Sequence, residues 1–122
     1  MSNFDALKAI GAEVKKDKNN RLLVGFYHRN VSNELLNLLN KVNDDCLLAF
    51  YGCDFSECDL KMLKHASFKR IGLIYCKFEN NHLHDICEMP SLNWLNLVDT
   101  QVTNDAVEKM LLNKPNLVIK LN

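Results

Sequence analysis

Cys76, His82, His84 and Cys87 fall close together along the chain, with Asp85 among them. Thiolate sulfur and imidazole nitrogen are the donors of tetrahedral zinc sites, so this mixture is the first candidate for chemistry. Its spacing argues against convergence. Leu83 and Ile86 fall on the apolar stripe of a helix here, which places His82 and His84 on flanking or outer faces, away from Cys76. A nucleophilic pair such as Cys87 with His84 has no third orienting group and no recognisable oxyanion donor. Four glycines supply no phosphate-cradling loop. An enzyme or metal-binding protein using a Cys/His site between Cys76 and Cys87 is therefore the alternative reading. The first reading is a non-enzymatic chain with no catalytic residues, no metal and no cofactor.

The remaining side chains with chemical content are large and aromatic. Tyr27, Tyr51, Tyr75 and Trp94, with Arg70, sit at or just beyond strand-like runs, beside Ile74, Asn96, Val98 and Asp99. Tyr, Trp and Arg dominate protein interfaces, because they bury large areas with few rotors and keep a polar tip. These nine residues form the candidate partner-binding patch, centred on Tyr51, Ile74 and Trp94.

The elements that would position them are set by a repeat. Phe26, Phe50, Leu73, Leu97 and Leu121 recur at intervals of 24, 23, 24 and 24 residues. Val24, Leu48, Ile71, Leu95 and Ile119 precede them by two positions. Val31, Phe55, Phe78 and Val102 follow five positions after the first four. Further columns run Leu36, Leu60, Leu83, Val107 and then Leu39, Leu63, Ile86, Met110. Within each repeat the apolar period switches from 2 to about 3.6, which places one strand and one helix per turn of chain. Units of this kind bury their apolar faces only by stacking, so the periodicity predicts a solenoid. Ser32, Ser56 and Thr103 stand where helix N-caps belong, and Glu79 takes that place in the third repeat. Val42, Ala66 and Met89 close the far ends of the helices.

The strand alternation leaves Leu23, Gly25, Leu47, Ala49, Gly72, Val118 and Lys120 on the face opposite the core, with the aromatic patch. Gly25 and Gly72 occupy one strand position and are expected to relieve crowding there. Ahead of the repeats, Phe4, Leu7 and Ile10 recur at helical spacing, and Gly11 ends that helix. Ala12 to Lys16 and Arg21 to Tyr27 read as a hairpin. The expected division is a single domain, with a cap at 1–20, repeats at 21–44, 45–67, 68–91 and 92–114, and a terminal strand at 115–122.

The ladder position after each strand holds Arg29, Cys53, Cys76 and Thr100. The segments LLAFYGCDFS, IGLIYCKFEN and LNLVDTQVTNDAV resemble the leucine-rich repeat pattern LxxLxLxxN/C-x-L across roughly residues 21 to 121. The ladder cysteines resemble the cysteine-containing subclass found in F-box substrate receptors, short bacterial leucine-rich repeat proteins and coupling factor B. The repeats are shorter than is usual there, Arg29 departs from the column, and no F-box is recognised, so a ubiquitin-ligase role is not expected. The resemblance implies an α/β leucine-rich-repeat solenoid, a right-handed βα superhelix with its parallel sheet on the concave face. The helix and β-hairpin would form its N-terminal cap. Cys53, Cys76 and Thr100 would then bond the neighbouring repeat's backbone as a structural ladder.

Fifteen basic and fifteen acidic residues balance to zero formal charge, which disfavours nucleic acid and anionic membrane surfaces as partners. No run approaches the length of a membrane span. MSNFDALKAIGAEV carries neither a basic leader nor a long apolar core, so no secretory signal is expected. Five cysteines without paired spacing fit a reducing, cytoplasmic setting. The expected work is recognition of a protein partner through the concave aromatic face, as an adaptor, assembly factor, inhibitor or immunity protein. A homodimer through the bare strand Leu117 to Leu121 is a further expectation.

Overall fold

The chain is described by a computed structural model covering residues 3–121, so the expected outer boundaries at 1, 2 and 122 lie outside the described residues. Its strands are β1 (Glu13–Lys16), β2 (Leu22–Tyr27), β3 (Cys46–Tyr51), β4 (Arg70–Ile74), β5 (Trp94–Asn96) and β6 (Val118–Lys120). Its helices are α1 (Asn3–Ala9), α2 (Asn33–Leu39), α3 (Asn80–Ile86) and α4 (Asn104–Asn113), with a 3-10 turn at Leu60–Leu63. The six strands form one open α/β sheet in sequence order; β1 pairs antiparallel with β2, and every later pair is parallel. Among the described residues no helix is long and apolar enough to cross a membrane.

The spacing of the apolar columns becomes the register of the sheet. Val24, Leu48, Ile71, Leu95 and Ile119 are successive cross-strand partners, as are Phe26, Phe50 and Leu73. Equal intervals bring equal residues opposite one another, so each layer continues the one before it. Phe26 stacks on Phe50 at 5.4 Å between ring centroids, Phe50 meets Phe55 edge-on at 5.0 Å, and Phe55 meets Phe78 edge-on at 5.4 Å. Each buried Leu or Phe of this row contributes roughly 1.5–3 kcal/mol over an exposed one. Leu97, expected within a strand, lies just past β5 yet is buried with the rest. Met110, Ile119 and Leu121 are only partly buried, so the last layer of the core is thinner than the others.

Helices pack along the core-side face of the sheet, α1 beside α2, α3 beside α4, and the 3-10 turn between α2 and α3. Ser32 caps α2 by accepting from the Leu35 N–H at 3.2 Å, and Thr103 caps α4 by accepting from Ala106 at 3.2 Å. The second interval departs from expectation. Asp54 Oδ1 accepts the Ser56 N–H at 2.8 Å in a local turn, and Ser56 caps nothing. Asp59 caps instead, accepting from Lys61 N–H at 3.1 Å, and opens a 3-10 turn rather than an α-helix. This interval, Phe50 to Leu73, is the 23-residue one. A 3-10 helix rises about 2.0 Å per residue against 1.5 Å for an α-helix, so it crosses the sheet with less chain. Leu60 and Leu63 still share one face and are both buried.

α1 ends as expected at Gly11, whose φ of 103° is open to glycine without strain. Arg29, where the ladder column breaks, has a task of its own. Its Nη1 donates to the Ile10 carbonyl, and its guanidinium carbon lies 5.8 Å from the Phe26 ring centroid. The residue that departs from the column thus fastens the N-terminal helix and hairpin to the first layer of the core.

Candidate functional site

The face of the sheet turned away from the helices carries a row of tyrosines. Tyr27 and Tyr51 are register partners at the ends of β2 and β3, each 43% exposed, with ring centroids 6.5 Å apart. Tyr51 pairs in register with Ile74, so Tyr75 stands one position further on and is 65% exposed. The Tyr51 and Tyr75 rings stack at 6.4 Å and 21°, and the His28 ring meets Tyr51 edge-on at 5.6 Å. Large rings left half exposed side by side are what interfaces use and what solvated faces avoid.

Tyr75 is placed there by a backbone feature that sequence reasoning did not extract. His28, Gly52, Tyr75 and Asp99 occupy one column of the repeat, two residues after Phe26, Phe50, Leu73 and Leu97, and all four are left-handed, with φ of 50°, 67°, 57° and 58°. The turn lets the N–H groups of His28, Gly52 and Tyr75 continue the ladder, bonding Tyr51, Ile74 and Val98 carbonyls at 2.9, 3.0 and 2.9 Å. Glycine takes this conformation without steric cost, whereas His, Tyr and Asp pay for it. Gly52 was the available signal: a glycine in one member of a column marks the backbone that the other members share. These four residues line a hollow of about 450 Å³ at the carboxyl ends of the strands, together with Asp54, Lys77 and Gln101.

A second hollow of about 600 Å³ lies at the amino ends, lined by Leu47, Arg70, Asn93, Trp94, Asn116 and Val118. Arg70 and Trp94 are direct cross-strand partners there. The expected patch thus divides: Tyr27, Tyr51, Ile74, Tyr75, Val98 and Asp99 gather at or just past the carboxyl ends, and Arg70 and Trp94 at the amino ends. Asn96 lies between them, its Oδ1 accepting the Val98 N–H at 3.2 Å. The two glycines expected to relieve crowding differ. A Cβ at Gly25 would stand 3.0 Å from Tyr27 Oη, but one at Gly72 would meet nothing within 4 Å, so crowding accounts for Gly25 alone.

The Cys/His cluster is dispersed. His82, expected on a flanking or outer face, is buried; its ring lies 5.4 Å from Phe78, and its Nδ1 accepts the Glu79 N–H at 2.8 Å. Gln101 Oε1 accepts the Phe78 N–H at 2.8 Å in the loop before α3, and the inward His82 ring supplies through Nδ1 the reciprocal half of the cap. His84 is exposed, 3.6 Å from Asp85. Among the described residues no three His, Cys, Asp or Glu side chains are arranged to hold a metal ion.

Cys53 Sγ donates to Phe26 O at 3.5 Å and Cys76 Sγ to Phe50 O at 3.4 Å, each reaching back to the preceding strand. Thr100, expected to do the same, instead donates to Leu97 O at 3.0 Å in its own segment, because its shorter hydroxyl bonds only to the adjacent turn. Cys76 keeps its proton well above the usual thiol range, first through its hydrogen bond with the Cys53 thiol and then through burial. Burial likewise pushes the thiols of Cys46 and Cys87 up to about 11. Comparison with protein-family models, curated proteins and solved structures returns no match.

Proposed function

We propose that this chain is a leucine-rich-repeat-type solenoid of the cysteine-containing kind, a right-handed βα superhelix whose concave sheet face binds a protein partner without catalysis. Four repeats at 21–44, 45–67, 68–91 and 92–114 build that face, capped at 1–20 and closed by a terminal strand. The register-matched columns and the backward hydrogen bonds of Cys53 and Cys76 support the architecture. The observation that carries the function is the exposed row Tyr27, Tyr51 and Tyr75 on a sheet face that no helix covers among the described residues. Adaptor, assembly factor, inhibitor and immunity protein are the roles this mode of binding fits, in a reducing cytoplasm where five free thiols persist.

The test is partner capture from an extract of the native source. Tyr51→Ala and Trp94→Ala, made separately, should each lower recovery of the captured protein at least tenfold while leaving circular dichroism and thermal midpoint nearly unchanged. Undiminished capture by both would sink the reading.

A second association is favoured by one observation: β6 is hydrogen-bonded on one side only among the described residues, with Val118 52% exposed. Pairing of two copies through β6 would cover this edge. Sedimentation equilibrium over the micromolar range should then show a concentration-dependent dimer that Ile119→Pro abolishes; a single monomeric species would end the idea.

A further inference from the structure

We propose that the hollow at the carboxyl ends of the strands is an acceptor for an arginine side chain of the partner, stacked on Tyr75 and paired with Asp99. This rests on the protein-binding reading above and names the chemistry of one contact. Three features converge there. Asp99 is exposed and makes no hydrogen bond or ion pair among the described residues. The other carboxylate lining the hollow is already engaged: Asp54 accepts the Ser56 N–H at 2.8 Å, and the Ser56 hydroxyl and N–H, with Lys77 as a smaller contribution, hold its carboxyl below the usual range. One carboxylate is thus left to meet a cation from outside.

Beside it stands Tyr75, 65% exposed and backed by the stacked Tyr51 ring at 6.4 Å. A planar guanidinium binds such a ring through its face while its edge donates two bonds to a carboxylate; a lysine ammonium does only part of this. The backbone supplies the aim. Glycine is the least costly residue at these left-handed positions, as at Gly52, and the chain nonetheless holds Tyr75 and Asp99 there with φ of 57° and 58°. Both side chains line the same hollow of about 450 Å³, ample for one arginine side chain.

Charge on the rest of the face fixes the polarity of the contact. Arg70 precedes Tyr75 by five positions along one strand direction, roughly 16 Å at about 3.3 Å per residue, and lines the opposite hollow. Acidic groups of a partner are drawn to that end; at the carboxyl end Lys77 acts on Asp54, and Asp99 is the carboxylate open to a base.

The experiment is a titration of the full chain, followed by amide chemical shifts in two-dimensional NMR. The probes are the tripeptide Gly-Arg-Gly with blocked ends and its Lys and Glu counterparts. The expected result is saturable movement of the Gly52, Tyr75 and Asp99 amides, with the arginine peptide binding at least tenfold more tightly than either counterpart. Asp99→Asn, which retains a residue at ease in the left-handed region, should weaken arginine binding at least tenfold, and Tyr75→Leu should do the same. No saturable movement at these amides, equal response to arginine and glutamate, or an Asp99→Asn titration like the wild type would each overturn the proposal. If the peptide fails while Tyr51→Ala and Trp94→Ala still lose the partner, only the arginine contact falls. If the peptide binds while both variants capture normally, the arginine contact stands and the wider reading falls.

Discussion

Gly52 follows β3 and Gly72 lies within β4, and the backbone asks different things of them. Gly52 has a φ of 67°, and a Cβ there would lie 2.4 Å from His28 Nδ1. Gly72 has neither constraint. Gly52→Ala is therefore expected to cost about 1–3 kcal/mol, from left-handed strain plus displacement of the His28 ring. Gly72→Ala should cost nothing and can gain up to about 1 kcal/mol by restricting the unfolded chain. Urea denaturation of the two variants checks the contrast, and equal losses would refute it. The buried thiols set a second expectation at this scale. Cys46 and Cys87 hold their protons up to about 11 against an ordinary value of 9.0. Above pH 9 the unfolded chain therefore releases these protons first, and the stability that is complete below that pH is lost as pH rises toward 11. Each thiol contributes up to about 2–3 kcal/mol to that loss. Thermal midpoints measured from pH 8 to 11 should fall, and fall less steeply in Cys87→Ala.

At the scale of elements, caps and column leucines make separable contributions. Ser32 and Asp59 accept N–H bonds at the starts of α2 and the 3-10 turn, and Ser56 accepts none. Ser32→Ala and Asp59→Ala should each cost about 1 kcal/mol, and Ser56→Ala less than about 0.5 kcal/mol. The opposite ranking of Ser56 and Asp59 in denaturant midpoints would mean that the second interval forms an ordinary helix. Leu60→Ala opens a cavity under that turn, and Leu83→Ala does so under α3; each should cost about 2–5 kcal/mol. The shared magnitude is the useful part, because it says that a 3-10 turn seals its layer as well as an α-helix does.

For the whole molecule the two ends of the sheet are finished differently. β1 closes one edge with exposed Glu13, Lys15 and Lys16, the charged side chains that discourage strand addition, and Lys15 pairs with Glu13 at 2.9 Å. That end is also tied to the core by Arg29, whose side chain joins the Ile10 carbonyl to the Phe26 ring. Arg29→Ala should release α1 and β1 while sparing β3 to β5. Amide hydrogen exchange would report it as at least tenfold faster exchange confined to residues 7–16, and a uniform increase across the chain would argue that the cap has no separate role. The β6 end carries one exposed charge, Lys120, against three on β1, and Leu112 and Val118 are among the most exposed apolar residues.

Read as sequence, the chain determined its layers: a strict interval of apolar residues leaves one way to bury Val24, Leu48, Ile71 and Leu95 together, and that is side by side in register. The cap helix, the hairpin and the exposure of Tyr27 and Tyr51 were legible for the same reason, since alternation assigns each strand residue to a face. What the tertiary structure alone decided was local geometry. Asp59 rather than Ser56 caps the second interval, and His82 turned inward to complete a cap beside Phe78. The left-handed turns that aim Tyr75 and Asp99 into one hollow were equally hidden, because the column keeps that backbone sign whether it carries His, Gly, Tyr or Asp.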